Sequence, residues 1–166
     1  MRQVKLTRET LIEWLRYDPD TGHFYWRKNK NSHKGRAKAG SVAGGLDTYG
    51  YVKIGLNGEV HWAHRLAWFY THGEWPPAEL DHINRDILDN RIANLRPATK
   101  TQNRGNQKVR RDSRTGVKGV GVDSKTGKFR ARLRNKKLGT FDRIEDAAAA
   151  YAAAAQKFFG EFANPT

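Results

Sequence analysis

Cysteine is absent from the 166 residues. Without it there is no disulfide, no thiolate zinc site and no cysteine nucleophile, so packing alone must hold the fold, and any catalytic metal would be a hard ion bound through oxygen. Long apolar runs are also missing. No stretch approaches the roughly 18 apolar residues of a transmembrane helix, and the opening MRQVKLTRETLIEW has no uninterrupted apolar segment. The expected location is the cytoplasm. Acidic residues are scarce: 17 Asp and Glu stand against 31 Lys and Arg, a formal net charge of +14 with a pI near 10.2. Such an imbalance on a chain able to fold is the footprint of a polyanion binder. Nucleic acid fits better than a membrane surface, which asks for a long amphipathic helix with a basic face, whereas the only long helical candidate, near 143–158, is mostly alanine.

What is present suffices for folding. Hydrophobic residues make up 37%, with five Trp, six Tyr and seven Phe, enough for one ordinary domain or two small ones. Charge is uneven: residues 1–98 carry a net +4 and residues 99–166 a net +10. Between them NRGNQKVRRDSRTG, from Asn103 to Gly116, has no aromatic and one aliphatic residue, the composition of a linker. Its five cations suit either a solvated hinge or phosphate tracking. The chain is therefore divided into residues 1–106, a basic linker 107–115, and residues 116–166.

Local signals give a mixed α and β first part. Thr7 caps a short helix reaching about Arg16, and HFYWR follows as a strand. Tyr51–Leu56 and Glu59–Ala63 flank Asn57-Gly58, a hairpin signal. A helix from His64 closes at Gly73, and Trp75-Pro76-Pro77 makes a rigid turn. The last part reads as strands at 117–122, 128–134 and 136–141, then a helix opened by the capping-box-like Asp142-Arg143-Ile144-Glu145. Ala147, Ala148, Tyr151, Ala155 and Phe158 form its packed side.

The segment LDHINRDILDNRIANLRPATKTQNRGN, residues 80–106, is dense in asparagine, a poor core and helix residue. Its asparagines suit Asx-turns or a site. Twelve residues separate His82 from Asn94 and nine separate Asn94 from Asn103. Those intervals fit a strand carrying Asp81-His82, a return to a second strand, and a helix starting near Thr99. The Asp81 carboxylate and the Asn103 amide oxygen would then meet, donors suited to a hard divalent ion, most simply Mg²⁺, with Mn²⁺ as the substitute. His82, with an ordinary pKa of about 6.5, would take a proton from the water attacking a phosphodiester.

Taken together, His64-Arg65-Leu66, Asp81-His82-Ile83, Asp89-Asn90-Arg91, Asn94-Leu95-Arg96 and Gln102-Asn103 resemble the HNH endonucleases, the ββα-metal nucleases. The closest resemblance is to their phage and intron-encoded branch, over residues 7–106. The resemblance implies Asp81 and Asn103 as metal ligands, His82 as general base and Asn94 as the residue that bonds across the loop and holds the site's shape. It also sets His64, Arg65 and Arg96 as residues for DNA phosphate or for packing. Many HNH proteins end the motif with His, whereas Asn103 stands here. His61 and His64 lack a third ligand for zinc, and His23, His33 and His72 read as structural or solvated.

In KFRARLR, strand alternation puts Phe129, Ala131 and Leu133 on one face and Arg130, Arg132 and Arg134 on the other. A solvated basic face is one reading; duplex DNA, with Lys118, Lys136 and Lys137 on neighbouring strands, is the other. Gly119-Val120, Gly127-Lys128-Phe129, Leu138-Gly139-Thr140-Phe141-Asp142, Glu145, Ala147-Ala148, Tyr151 and Gly160 resemble the APETALA/ethylene-response-factor DNA-binding domain. That family lays a three-stranded sheet in the major groove, which implies that Lys118, Arg132, Arg134 and Lys137 face DNA. Gly121 and Asp123 stand where plant members often carry arginine, so their target sequence does not transfer.

The expected fold is α+β: an HNH ββα-metal nuclease domain followed by three antiparallel strands packed on one helix. The expected function is a metal-dependent, site-specific, homing-type DNA endonuclease acting in a bacterial host or phage-infected cell on double-stranded DNA. It would nick as a monomer or cut as a DNA-assembled dimer, with no small-molecule cofactor and no membrane. The rival is a non-cleaving DNA-binding regulator with an HNH-like fold. RNA binding is less favoured, because RNA-reading sheets usually display aromatics where this one displays arginine.

Overall fold

The structure, a computed structural model, describes residues 5–32 and 35–165. It is mixed α and β, with small sheets and four α-helices, and its contacts divide into two compact units, residues 1–97 and 98–166.

In the first unit, helix α1 (Arg8–Trp14) starts at Thr7, whose hydroxyl accepts from the Thr10 amide. It ends two residues before the expected Arg16. Strand β1 (Leu15–Tyr17) follows at once and pairs antiparallel with β2 (Phe24–Trp26). The reason is periodicity. Leu15 and Tyr17 are both buried, and only the two-residue repeat of a strand hides both while leaving Arg16 outside, stacked over Tyr25. Strands β3 (Lys30–Ser32) and β4 (Gly35–Ala37) form a second antiparallel pair. A three-stranded sheet follows from β5 (Gly45–Leu46), β6 (Val52–Leu56) and β7 (Glu59–Trp62). The β6–β7 turn holds Asn57 at φ 54° and Gly58 at φ 78°, the left-handed pair that an Asn-Gly hairpin requires.

Helix α2 (Ala63–His72) lays Ala63, Leu66, Ala67 and Phe69 into the core formed with Leu11, Leu15, Phe24 and Ile54. Gly73, at φ 79°, closes it, its amide donating to the Phe69 carbonyl. Trp75 then stacks on Phe69, ring centroids 4.4 Å apart. Strand β8 (Glu79–His82) pairs with β9 (Leu95–Ala98), which is entered through a single 3₁₀ turn at Ile92–Asn94.

Helix α3 (Lys100–Asn106) belongs by its contacts to the second unit, although the sequence groups it with the first domain. It opens on a full capping box: Thr99 accepts from the Gln102 amide, and the Gln102 side chain accepts from the Thr99 amide. Its end is tied to the C-terminus, since the Asn164 amide donates to the Gly105 carbonyl. Strands β10 (Val120–Val122), β11 (Phe129–Leu133) and β12 (Lys136–Phe141) form an antiparallel sheet covered on one face by α4 (Ile144–Phe159). Ala131, Ala147 and Ala155 are fully or almost fully buried there, and small side chains let helix and sheet approach closely.

Three details depart from the sequence reading. The side chain of the α4 N-cap, Arg143, makes no cap hydrogen bond, so Asp142–Glu145 is not a capping box; Glu145 and Asp146 instead place acid in the first turn, where the helix dipole favours it. The buried row is Ala147, Tyr151 and Ala155, and its four-residue step continues to Phe159, which packs, and leaves Phe158 half exposed. The first strand begins only at Val120, because Gly119 turns the chain at φ 70°.

A β-carbon at Gly119 would lie 2.2 Å from the Tyr151 ring and 2.7 Å from the Arg132 carbonyl oxygen, whereas one at Gly121 would meet open space. Gly119→Ala is expected to destabilise the second unit by about 2–4 kcal/mol, combining left-handed strain with overpacking. Gly121→Ala should stay within about 0.5 kcal/mol. Urea unfolding of both variants checks this, and equal midpoints would contradict it.

Candidate active site

At the end of β8, Leu80, Asp81 and His82 are all buried, so a carboxylate and an imidazole leave water together. Each has a partner. Arg96, on the paired strand β9, reaches Asp81 Oδ2 with both Nε and Nη2 at 2.9 Å. A buried charge without such an opposite would cost several kcal/mol. His82 Nε2 lies 3.2 Å from Asn90 Oδ1, and Asn90 is itself 2% exposed. Burial holds the His82 pKa below the usual imidazole range, against the opposing pull of the Asn90 bond and of the charges on Asp81, Asp89 and Asp86. The ring is therefore neutral at neutral pH, the state a proton acceptor needs.

Aromatic rings pack round it. His64 meets His82 edge-on at 5.3 Å, and Tyr51 lies 5.6 Å from His64 and 6.3 Å from His82. Trp62 stacks over His64 and donates its indole N–H to Asp47 Oδ2. Burial, followed by the neighbouring His82 and Arg65, pushes His64 down to about 3.

The loop from Ile83 to Asn94 is held by its own polar side chains. Asn94 Oδ1 accepts from the Asn84 amide at 3.0 Å, while Asn94 Nδ2 donates to Asn84 Oδ1 and to the Asp89 carbonyl. Asn84 and Asp86 each accept from the amide two residues on, the Asx pattern. Arg91 grips Asp89 with two nitrogens, which holds that carboxyl at about 2. Asn84 and Asn94 thus tie the loop to itself, and Asn90 ties it to His82.

The remaining sequence-predicted residues lie on other elements. Asn103 stands on α3, in the second unit, and Asp81 in the first. Arg65 donates to the Ala78 carbonyl. The Lys118 ammonium donates to the carbonyls of Arg104, Gly105 and Gln107, at the end of α3. Arg130 and Arg132 lie on β11, Arg130 3.4 Å from Asp123, and Lys137 lies on β12 opposite Arg132. Arg134 leaves the basic face: it sits at φ 54° in the β11–β12 turn, and its guanidinium lies 5.4 Å from the Phe158 ring. A two-residue turn breaks the strand alternation that the sequence reading extended to it.

His23 and His72 contact Tyr25 and Trp68, and His61 stacks on Trp75; His33 lies outside the described residues. Asn90 carried no role in the sequence reading beyond its place in the Asp89-Asn90-Arg91 motif. Only its burial and its bond to His82 mark it.

Among the described residues no group of three or more His, Cys, Asp or Glu could hold a metal. Asp81 offers a carboxylate oxygen and Asn103 an amide oxygen, each a donor of the hard kind that Mg²⁺ takes.

A family model described as HNH endonuclease matches residues 61–104. That span includes Asp81, His82, Asn90, Asn94 and Asn103, and the match supports an HNH nuclease that acts on DNA. Nucleases of this kind generally use a divalent metal. No curated protein and no solved structure matches the chain. No helix among the described residues is long and apolar enough to cross a membrane.

The depressed His64 gives a pH test of the ring cluster. Unfolded, this imidazole titrates near 6.5, and folded at about 3. Above pH 6.5 neither state is protonated and stability is full; as pH falls from 6.5 towards 3 the unfolded chain takes up the proton first and stability declines. His64→Gln should remove this part of the slope, seen as a shallower fall of the urea midpoint between pH 6.5 and 4 than in wild type. Parallel curves would exclude a buried neutral His64.

Proposed function

We propose that the chain is a metal-dependent, site-specific DNA endonuclease of the homing, nicking type. The supporting observation is the buried Asp81-His82 pair, with a cationic partner for the acid and an amide partner for the imidazole, inside the segment that matches the HNH model. In this reading His82 accepts the proton of the attacking water, and Asp81 and Asn103 hold the metal. Arg96 pairs with the Asp81 carboxylate and fixes its position, and Asn94 holds the loop in shape. A bound divalent ion, Mg²⁺ or Mn²⁺, supplies positive charge to the phosphate and the departing 3′-oxygen. His64 and Arg65 flank the pair on α2, where DNA phosphate would pass.

The second unit provides affinity, as a sheet of the APETALA/ethylene-response-factor type. A cleft of about 470 Å³ lies between residues 107–113 and the outer face of β10 and β11, lined by Lys108, Arg110, Arg130 and Arg132. With Lys118 five cations line the cleft against one acid, Asp112, an excess of positive charge that suits a phosphodiester strand. Lys118, bound to three carbonyls, takes the lesser part. With one Asp81-His82 pair per chain, a monomer nicks and a DNA-assembled dimer cuts both strands.

Purified protein should nick supercoiled plasmid with Mg²⁺ and stop with a chelator. His82→Ala should lower the rate by roughly 10²–10⁴-fold with duplex affinity nearly unchanged; retained nicking would remove the proposed base. Arg130→Ala with Arg132→Ala should weaken binding and reduce the slope of log K against log salt by about 1–2. An unchanged slope would take the DNA-binding role from the sheet.

A further inference from the structure

The HNH match begins at residue 61, but a bond from outside it reaches the His82 loop. Tyr17, on β1, donates its hydroxyl to the Asn90 carbonyl oxygen at 2.8 Å, in a buried contact spanning 73 residues of sequence. Beside it the β1–β2 turn comes so close that a β-carbon at Gly22 would lie 2.5 Å from the Arg91 amide nitrogen and 2.6 Å from the Asn90 carbonyl carbon. The loop that carries Asn90 is therefore clamped against the N-terminal hairpin.

The Asn90 amide has a defined orientation. Its Nδ2 donates to the Leu88 carbonyl at 3.3 Å, and a carbonyl only accepts, so Oδ1 must be the atom facing His82. An amide oxygen also only accepts. The hydrogen between them therefore belongs to His82 Nε2, and the imidazole lone pair is on Nδ1.

We propose that Asn90 and Tyr17 are positioning residues: Asn90 holds His82 as the tautomer protonated on Nε2, and Tyr17 fixes the loop that presents Asn90. The role in cleavage rests on the nuclease reading, with His82 as base; the tautomer does not. The Asn90 oxygen can accept only from the tautomer protonated on Nε2, so removing it removes that preference. Tyr17 acts one bond further away. Burial raises its phenol to about 12, so it remains a donor throughout the working pH range. The N-terminal hairpin is then part of the catalytic apparatus as well as of the fold.

The test uses the full chain labelled with ¹⁵N-histidine, with His82→Gln identifying the His82 signals. Long-range ¹H–¹⁵N spectra of wild type should show the Nε2-protonated pattern for His82. Asn90→Ala should replace it with an averaged or Nδ1-protonated pattern and slow nicking roughly 10–100-fold through kcat, with KM little changed. Asn90→Asp, which keeps an oxygen acceptor, should retain the Nε2 pattern. Tyr17→Phe keeps the ring in the core and should slow nicking roughly 2–10-fold, the factor one neutral hydrogen bond supplies, while broadening the His82 signals.

An Nδ1-protonated His82 in wild type, or an unaltered pattern in folded Asn90→Ala, would overturn the assignment to Asn90. If Asn90→Ala does not fold, the wild-type and Asn90→Asp patterns still decide. Unchanged His82 signals and rate in Tyr17→Phe would overturn the part given to Tyr17. A wild type that shows the Nε2 pattern yet never cuts DNA would refute the nuclease reading and leave the tautomer standing.

Discussion

Two ionisable groups side by side at the buried end of one strand set the terms for the rest of the first unit. Asp81 and His82 would each lose several kcal/mol of hydration if left without partners. The strand opposite answers the first with Arg96, and the loop between the strands answers the second with Asn90. Neither answer is local. Arg96 needs β8 and β9 paired, and Asn90 needs the loop folded back over eight residues. The polar residues of that loop then have a common purpose, since Asn84, Asp86, Asp89 and Asn94 bond mainly to its own backbone and to one another.

Charge is shared unequally between the two units. The first is nearer balance and sets three of its cations on internal acceptors: Arg96 on Asp81, Arg91 on Asp89, Arg65 on a carbonyl. The second carries most of the net charge and gathers several cations on one cleft beside its sheet. The proposed function would gain from this separation, because a site crowded with uncompensated cations would depress an adjacent imidazole and compete with a metal.

Much of the fold was legible in the sequence where a local signal had a single physical solution. Asn57-Gly58 could only be a tight hairpin, Gly73 could only end its helix, and the Phe129-Ala131-Leu133 alternation named the buried face of its strand. Expectations failed where two periods competed. Leu15 and Arg16 prolonged the pattern of the first helix until the burial of Leu15 and Tyr17 selected a strand, and Phe158 shared the packed side of the alanine-rich helix until its four-residue row chose Phe159. Arg134 was misplaced because alternation was carried one residue past the strand's end.

By itself, the sequence determined which atoms were available: oxygen and imidazole donors without thiols, a surplus of cations, and the spacing of acid, imidazole and amides that a nuclease of the HNH kind displays. These are matters of composition and interval, which need no fold to be counted. The tertiary structure alone decided which amide meets which ring. Nothing in the sequence set Asn90 rather than Asn84 or Asn94 against His82, yet of these three it is Asn90 that is turned towards the ring and whose carbonyl is held by Tyr17. Hydrogen bonds between residues far apart in the chain depend on where packing has already put their backbones.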